Sequence, residues 1–127
     1  MAENKKKVLV IDDEEDMQVI ATEVLKRNGY EAYSARNGQD GLNMAQSVKP
    51  DLILLDVMMP LIDGFRLQEL LLEDEKTKMI PIVFVTARTA LEDTVRAVSK
   101  GAVGYIEKPF DVKQLVRKIE SLLNPPA

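Results

Sequence analysis

The sequence predicts an α/β protein: a single doubly wound (βα)5 domain with a five-stranded parallel sheet and helices on both faces. Three observations carry this. Five short strand-like segments, at residues 8–11, 30–35, 52–55, 82–85 and 105–106, alternate with five stretches of helical character. Three of the runs, Val8-Leu9-Val10-Ile11, Leu52-Ile53-Leu54-Leu55 and Ile82-Val83-Phe84-Val85, are unbroken rather than alternating, as in strands buried on both faces. Most of the runs end in a polar or charged residue, at the edge where open α/β sheets hold their ligands. Strands alternating with helices need right-handed crossovers, which make the sheet parallel and cover both its faces. Periodicity alone leaves the strand order open.

The elements follow in order. After the first strand, Glu14, Glu15 and Asp16 favour a helix N-terminus through the dipole. Met17, Ile20, Ala21, Val24 and Leu25 then form one helical stripe, closed by Asn28-Gly29. Residues 30–35 alternate more and suit a strand nearer an edge. Asn37-Gly38 reads as a turn, and Leu42, Ala45 and Val48 mark a second helix. The central strand 52–55 follows a Pro-Asp turn and runs into Asp56; Pro60 and Gly64 forbid a helix there, so Asp56 opens a loop. Phe65, Leu67, Leu70 and Leu71 make a third helix, and residues 73–78 a loop. A fourth strand leads to Thr86-Ala87. A fourth helix is expected over residues 91–99, weakened by the β-branched Thr94, Val95 and Val98 and stopped by Lys100-Gly101. Tyr105-Ile106 is a short fifth strand. Asp111 and Gln114 form a capping pair for a last helix with Val112, Leu115, Val116, Ile119, Leu122 and Leu123 as its apolar side, ended by Pro125-Pro126.

Composition narrows the function. The 127 residues suit one domain, spanning 1–127 with a core at about 6–123 and a tail or linker start at 124–127. With 17 Lys+Arg against 21 Asp+Glu the net charge is −4, which argues against direct nucleic-acid binding. No cysteine is present, which removes disulfides, zinc-thiolate sites and thiol catalysis. No histidine is present either, so the usual general base and commonest transition-metal ligand are missing. The apolar run after the basic start is too short for a signal peptide or a membrane span, and a soluble cytoplasmic protein is expected.

The strand ends form a constellation. Asp12 and Asp13 follow the first strand, Asp56 the third, Thr86 the fourth and Lys108 the fifth. In a parallel sheet these ends share one edge and can converge. Three carboxylates in one site repel one another unless a cation is present. Oxygen ligands without His or Cys suit a hard ion, Mg²⁺ above all. With a hydroxyl and an ammonium beside them, the set fits phosphoryl transfer, where positioning and charge neutralisation dominate. Each residue alone also fits an ordinary strand-end cap, and Lys108 a solvated surface lysine.

In this ordered set the sequence resembles the receiver domain of two-component response regulators. The matching text is Val8-Leu9-Val10-Ile11-Asp12-Asp13-Glu14, Asp51 through Asp56-Val57-Met58-Met59-Pro60, Asp63-Gly64, Val85-Thr86-Ala87, and Gly101-Ala102 through Lys108-Pro109-Phe110, over roughly residues 6–123. The resemblance implies a flavodoxin-like sheet in the order 2-1-3-4-5. It implies that Asp56 accepts a phosphoryl group from a phosphohistidine on a sensor histidine kinase or histidine phosphotransfer protein. Mg²⁺, with Mn²⁺ as a substitute, would be bound by Asp13, Asp56 and the backbone carbonyl of Met58, with Asp12 acting mainly through a bound water. Thr86 and Lys108 would contact the phosphoryl oxygens. Tyr105 would turn inward when Thr86 moves; on propensity alone the alternative is a half-buried strand aromatic. The Lys108-Pro109 bond is expected to be cis. The output would be a separate downstream protein or an attached output domain. The resemblance also implies that Met58 and Arg88 lie close to where attacking water would approach.

Three rivals share features of this pattern. A phosphatase of the haloacid dehalogenase type also uses a strand-end aspartate with Mg²⁺, but it needs a second acid two residues later, where this chain has Met58. A flavodoxin-like FMN carrier would need a Ser/Thr/Gly-rich loop in place of Asp12-Asp13-Glu14-Glu15-Asp16. A receiver-like domain that binds partners without taking phosphate would be expected to lose one of Asp12, Asp13, Asp56 or Lys108, and none is lost.

Overall fold

The strands β1 (Lys7–Ile11), β2 (Glu31–Ala35), β3 (Leu52–Asp56), β4 (Ile82–Ala87) and β5 (Gly104–Lys108) pair in parallel throughout, in the order β2-β1-β3-β4-β5. This is the doubly wound sheet expected, seen in a computed structural model that describes residues 5–57, 59–87 and 101–124. Among the described residues four helices cover it: α1 (Glu15–Arg27), α2 (Gly38–Val48), α3 (Gly64–Glu73) and α4 (Val112–Leu123). The helix expected over residues 91–99 lies outside the described residues.

Alternate residues of each strand feed different cores, because successive side chains point to opposite faces. Leu9, Ile11, Ile53, Leu55 and Phe84 pack with Ala45 of α2 and Leu67 and Leu71 of α3. Val8, Val10, Leu52, Leu54, Val83, Val85 and Ile106 pack with Ala21 and Leu25 of α1 and Leu115 and Ile119 of α4. The central strands are buried on both faces, which is why their runs are unbroken. Each such side chain contributes about 1.5–3 kcal/mol on full burial.

Three sequence readings need correction. Asn37-Gly38 is not a free-standing turn but the entry to α2: the Asn37 side chain accepts a hydrogen bond from the Asp40 amide at 2.8 Å and caps the helix. The stripe of α1 is narrower than expected, since Met17, Ala21 and Leu25 are buried at i, i+4 and i+8 while Ile20 stands on the exposed shoulder. In α4 only Leu115 and Ile119 are fully buried, and Val112, in the first turn, is exposed. The Asp111–Gln114 capping box is present as expected.

Candidate functional site

Sheet register sets the site. Ile11 pairs with Leu55, so Asp12 stands level with Asp56, and Asp56 in turn pairs with Val85. Ala87 pairs with Lys108, two residues further out. Period two then sorts the side chains. Asp56 continues the row of Leu52 and Leu54, Lys108 that of Gly104 and Ile106, and Asp12 follows Val8 and Val10, so all three extend the face that packs on α1 and α4. The apolar residues sink into the core, and the last residue of each row emerges at the carboxyl edge.

The geometry there is close. Asp12 and Asp56 are 1% and 5% exposed, whereas Asp13 is open to solvent. Asp12, Asp13 and Asp56 each offer a carboxylate oxygen, and the three atoms lie within 4.8 Å of one another. Lys108 Nζ donates to Asp12 Oδ2 at 3.0 Å and lies 3.9 Å from Asp56 Oδ2. It also reaches Glu14 Oε1 at 3.4 Å. The other oxygen of Asp12 accepts the Glu14 amide at 2.9 Å, and the Asp12 carbonyl accepts from Gln18 Nε2 at 2.7 Å, so α1 begins locked to this carboxylate. Burial works against the Lys108 ammonium, but the Asp12 hydrogen bond and the charges of Asp56, Asp12 and Glu14 outweigh it and raise its pKa above the ordinary lysine value. The lysine is therefore a fixed cation among acids rather than a solvated surface residue.

The loop after Asp56 is as closely held. The Gly64 amide donates to the Val57 carbonyl at 2.9 Å, and the Asp63 side chain caps α3 by accepting from the Arg66 amide at 2.8 Å. A Cβ on Gly64 would collide with the Asp56 carbonyl and come within 2.9 Å of Val57 Cα. Only glycine lets α3 start this close to the strand end.

The fold thus brings Asp12, Asp13, Asp56 and Lys108 together, and its backbone puts Thr86 one residue beyond the partner of Asp56, opposite Glu107. Tyr105 lies on β5 and is exposed. The Lys108–Pro109 bond is cis, as expected. The expectations for the Met58 carbonyl, for Arg88 and for the Thr86 side chain lie outside what the structure describes. Sequence reasoning missed Glu14 and Gln18 as parts of the site. Their signal, a third acid after the pair and an amide one turn into α1, was legible only as helix-start chemistry.

A family model described as response regulator receiver domain matches residues 8–120. Protein PilH of Pseudomonas aeruginosa is 33% identical over 117 residues, which cover 92% of this chain and 97% of that protein. The DNA-binding dual master transcriptional regulator RpaA of Synechocystis is 35% identical over 117 residues, 92% of this chain but 48% of that protein. The chain thus spans about half the length of RpaA. Among solved structures, the chemotaxis protein CheY4 of Vibrio cholerae superposes with a TM-score of 0.88 at 30% identity, covering 94% of this chain and all of the other. No helix among the described residues is long and apolar enough to cross a membrane. Sheet order, strand-end acids and the match over nearly the whole chain agree: the protein belongs to the receiver domain family of two-component response regulators.

Proposed function

We propose that this receiver, acting as one domain over residues 1–127, takes a phosphoryl group onto Asp56 from a phosphohistidine on a sensor kinase or histidine phosphotransfer protein. It thereby switches a surface read by an output partner, separate or attached. The observation that carries this is the placement of Asp56: a buried carboxylate at the central strand end, beside two further acids and 3.9 Å from a lysine ammonium. These 127 residues hold no histidine, so the donor lies outside them. We read the reaction as cytoplasmic, where ATP is at hand to charge a phosphohistidine donor.

The donor set fits Mg²⁺, or Mn²⁺ in its place. Its three carboxylate oxygens converge, the sequence offers no His or Cys ligand, and one lysine does not neutralise three acids. Asp13 and Asp56, with the Met58 carbonyl, would hold the ion directly and Asp12 through water; when bound it supplies charge neutralisation for the phosphoryl oxygens. The remaining steps belong to the chain. An Asp56 oxygen attacks phosphorus in line, forming an acyl phosphate O–P bond as the P–N bond to the donor imidazole breaks, and the imidazole nitrogen takes up a proton as it leaves. Lys108 pairs with a phosphoryl oxygen, and Gln18 and the Glu14 amide hold Asp12 in place. Thr86 takes another phosphoryl oxygen, and Tyr105, now exposed, follows it inward. The domain is a phosphoacceptor that promotes its own phosphorylation and dephosphorylation, not an enzyme acting on a separate substrate.

Intact-protein mass spectrometry after incubation with acetyl phosphate and Mg²⁺ tests this. One phosphoryl adduct is expected on the wild type, with none on Asp56→Asn or after chelation of the metal. An adduct that persists in Asp56→Asn places the chemistry on another residue and refutes the assignment.

A further inference from the structure

The two edges of the sheet are built differently. β5 ends in Glu107, Lys108 and Pro109, the charges and proline with which natural edge strands resist further pairing. β2 carries one charge, at its first residue Glu31, and holds no proline. Its register with β1 runs one to one from Glu31 to Ala35, so no bulge twists the edge away. In parallel pairing each residue directs its amide and carbonyl to the same side, alternating along the strand. The Glu31 amide donates to the Lys6 carbonyl at 2.9 Å, and the Ala35 carbonyl accepts from the Asp12 amide at 3.1 Å. Glu31, Tyr33 and Ala35 therefore face β1, and Ala32 and Ser34 turn their amides and carbonyls outward. No strand among the described residues pairs with that side.

The outward side is open along its length. A groove of about 490 Å³ lies at its amino end, between Lys26 of α1 and Glu31, Ala32 and Tyr33 of the strand. A second, of about 410 Å³, lies at its carboxyl end, between Gln18 of α1, Ser34 and Arg36, and Asp40 and Met44 of α2. Ala32, Tyr33 and Ser34 between them are only half-buried. Gln18 and Lys26, roughly two helical turns apart, mark the flank of α1 that overlooks this edge.

We propose that β2 is a pairing edge for a second copy of this chain, joined antiparallel about a two-fold axis at Tyr33 so that the sheet runs on from one copy into the other. The outward groups are self-complementary. With the two Tyr33 residues opposite each other, Ala32 of either copy stands opposite Ser34 of the other, and each such pair can exchange both its main-chain hydrogen bonds. The tyrosines then form a cross-strand aromatic pair on the side of α2. The charges match as well. α1 has Glu15 and Asp16 in its first turn and Lys26 and Arg27 in its last, and the two-fold axis sets the two α1 helices antiparallel on one face, acids towards bases. The layers fit too. α1 and α2 each pack across β1 and β2, so each axis would stand two strand spacings, about 9.6 Å, from its copy, and packed helices lie about 8–10 Å apart. An extended peptide would satisfy the free main-chain groups, but only a second copy answers the charges of α1 and the spacing of both helix layers. The strand is 5 residues long, so the dimer is weak and forms at high concentration.

The test is sedimentation velocity of the purified, unphosphorylated protein from about 10 μM to about 1 mM, alongside Ala32→Pro and Ser34→Lys. Proline at 32 removes an outward amide and leaves the bonds to β1 in place, as edge strands allow. Lysine at 34 puts a charge on the edge. The wild type should pass from monomer to dimer over this range, and each variant, folded by circular dichroism, should raise the dissociation constant about tenfold or more. Amide exchange of the wild type, followed by NMR, should slow with concentration at Ala32 and Ser34 and stay constant at Tyr33 and Ala35, whose amides β1 already holds. That measurement needs no variant, so it decides the matter even if the proline unfolds the domain. A wild type still monomeric at the top of the range overturns the proposal and leaves the edge to an extended strand of another protein. A dimer that both variants leave intact overturns it too, as does concentration-dependent protection confined to another element such as β5 or α4.

Discussion

Lys108→Met keeps the apolar stem of the lysine and removes its ammonium. What remains is a pair of carboxylates, Asp12 and Asp56, that are 1% and 5% exposed and have lost their shared cation. At an effective dielectric constant of 20, unit charges at the observed 3.0 Å and 3.9 Å attract by about 5.5 and about 4 kcal/mol. Dehydration of the same groups offsets much of this, and removing one partner of a buried pair costs about 3 kcal/mol net. The contact with Glu14 adds little, because that side chain is largely in solvent. In urea, with an m-value of about 2 kcal/mol/M, the midpoint should fall by about 1.5 M. The measurement is equilibrium unfolding by circular dichroism at pH 7 in a chelator, with the Asp12→Asn/Lys108→Met double mutant to isolate the coupling. Added Mg²⁺ should shrink the deficit, since it neutralises the same acids.

Alkaline pH supplies an independent check. The folded Lys108 pKa is raised above the ordinary 10.5 despite its burial, so the folded state holds this proton more tightly than the unfolded chain does. Its contribution is whole below about 10.5 and disappears as pH rises through the folded value. The difference between wild type and Lys108→Met should therefore be flat from about pH 7 to 10 and collapse above that. A variant within about 0.5 kcal/mol of wild type in chelator, the range of an ordinary surface substitution, would refute the reasoning, because the acids would then not depend on the lysine.

Two further outcomes follow from the same edge. Asp13→Asn should weaken Mg²⁺ binding while relieving repulsion with Asp56, so its melting temperature without metal should match or exceed that of wild type and gain less from millimolar Mg²⁺; a wild-type melting temperature indifferent to Mg²⁺ would count against the metal site. Gly64→Ala drives a methyl into the Asp56 carbonyl and Val57 Cα, so it should destabilise by about 2–3 kcal/mol and slow labelling of Asp56 by acetyl phosphate. Wild-type stability and rate in that variant would mean the loop yields without moving the acid.

Much of the fold was legible because burial on both faces leaves a plain mark. The runs at 8–11, 52–55 and 82–85 are apolar at every position, as strands feeding both cores must be. The helices were harder to delimit. Ile20 and Val112 carry the right periodicity but stand half-exposed on the shoulders of their helices, which periodicity alone does not show. Asn37-Gly38 carried turn chemistry that serves equally as a helix cap, and only the Asp40 amide decides between them. Sheet order came with the family resemblance, since periodicity holds no information about which strands are neighbours.

The site was legible to a different depth. Asp12, Asp56 and Lys108 could be named because each ends an apolar row, and a parallel sheet brings row ends to one edge. That they meet on the same face follows from parity: Asp56 is an even step from Leu52 and Leu54, and Lys108 from Gly104 and Ile106. Parity cannot give distance, however. Lys108 stands two residues beyond the level of Asp12 and Asp56 in the sheet register, and its long side chain has to reach back to the acids. The residues that fix the reach, the Glu14 amide and Gln18, are local to Asp12 and remote from Lys108, so no pattern within either segment reveals that they serve the same contact.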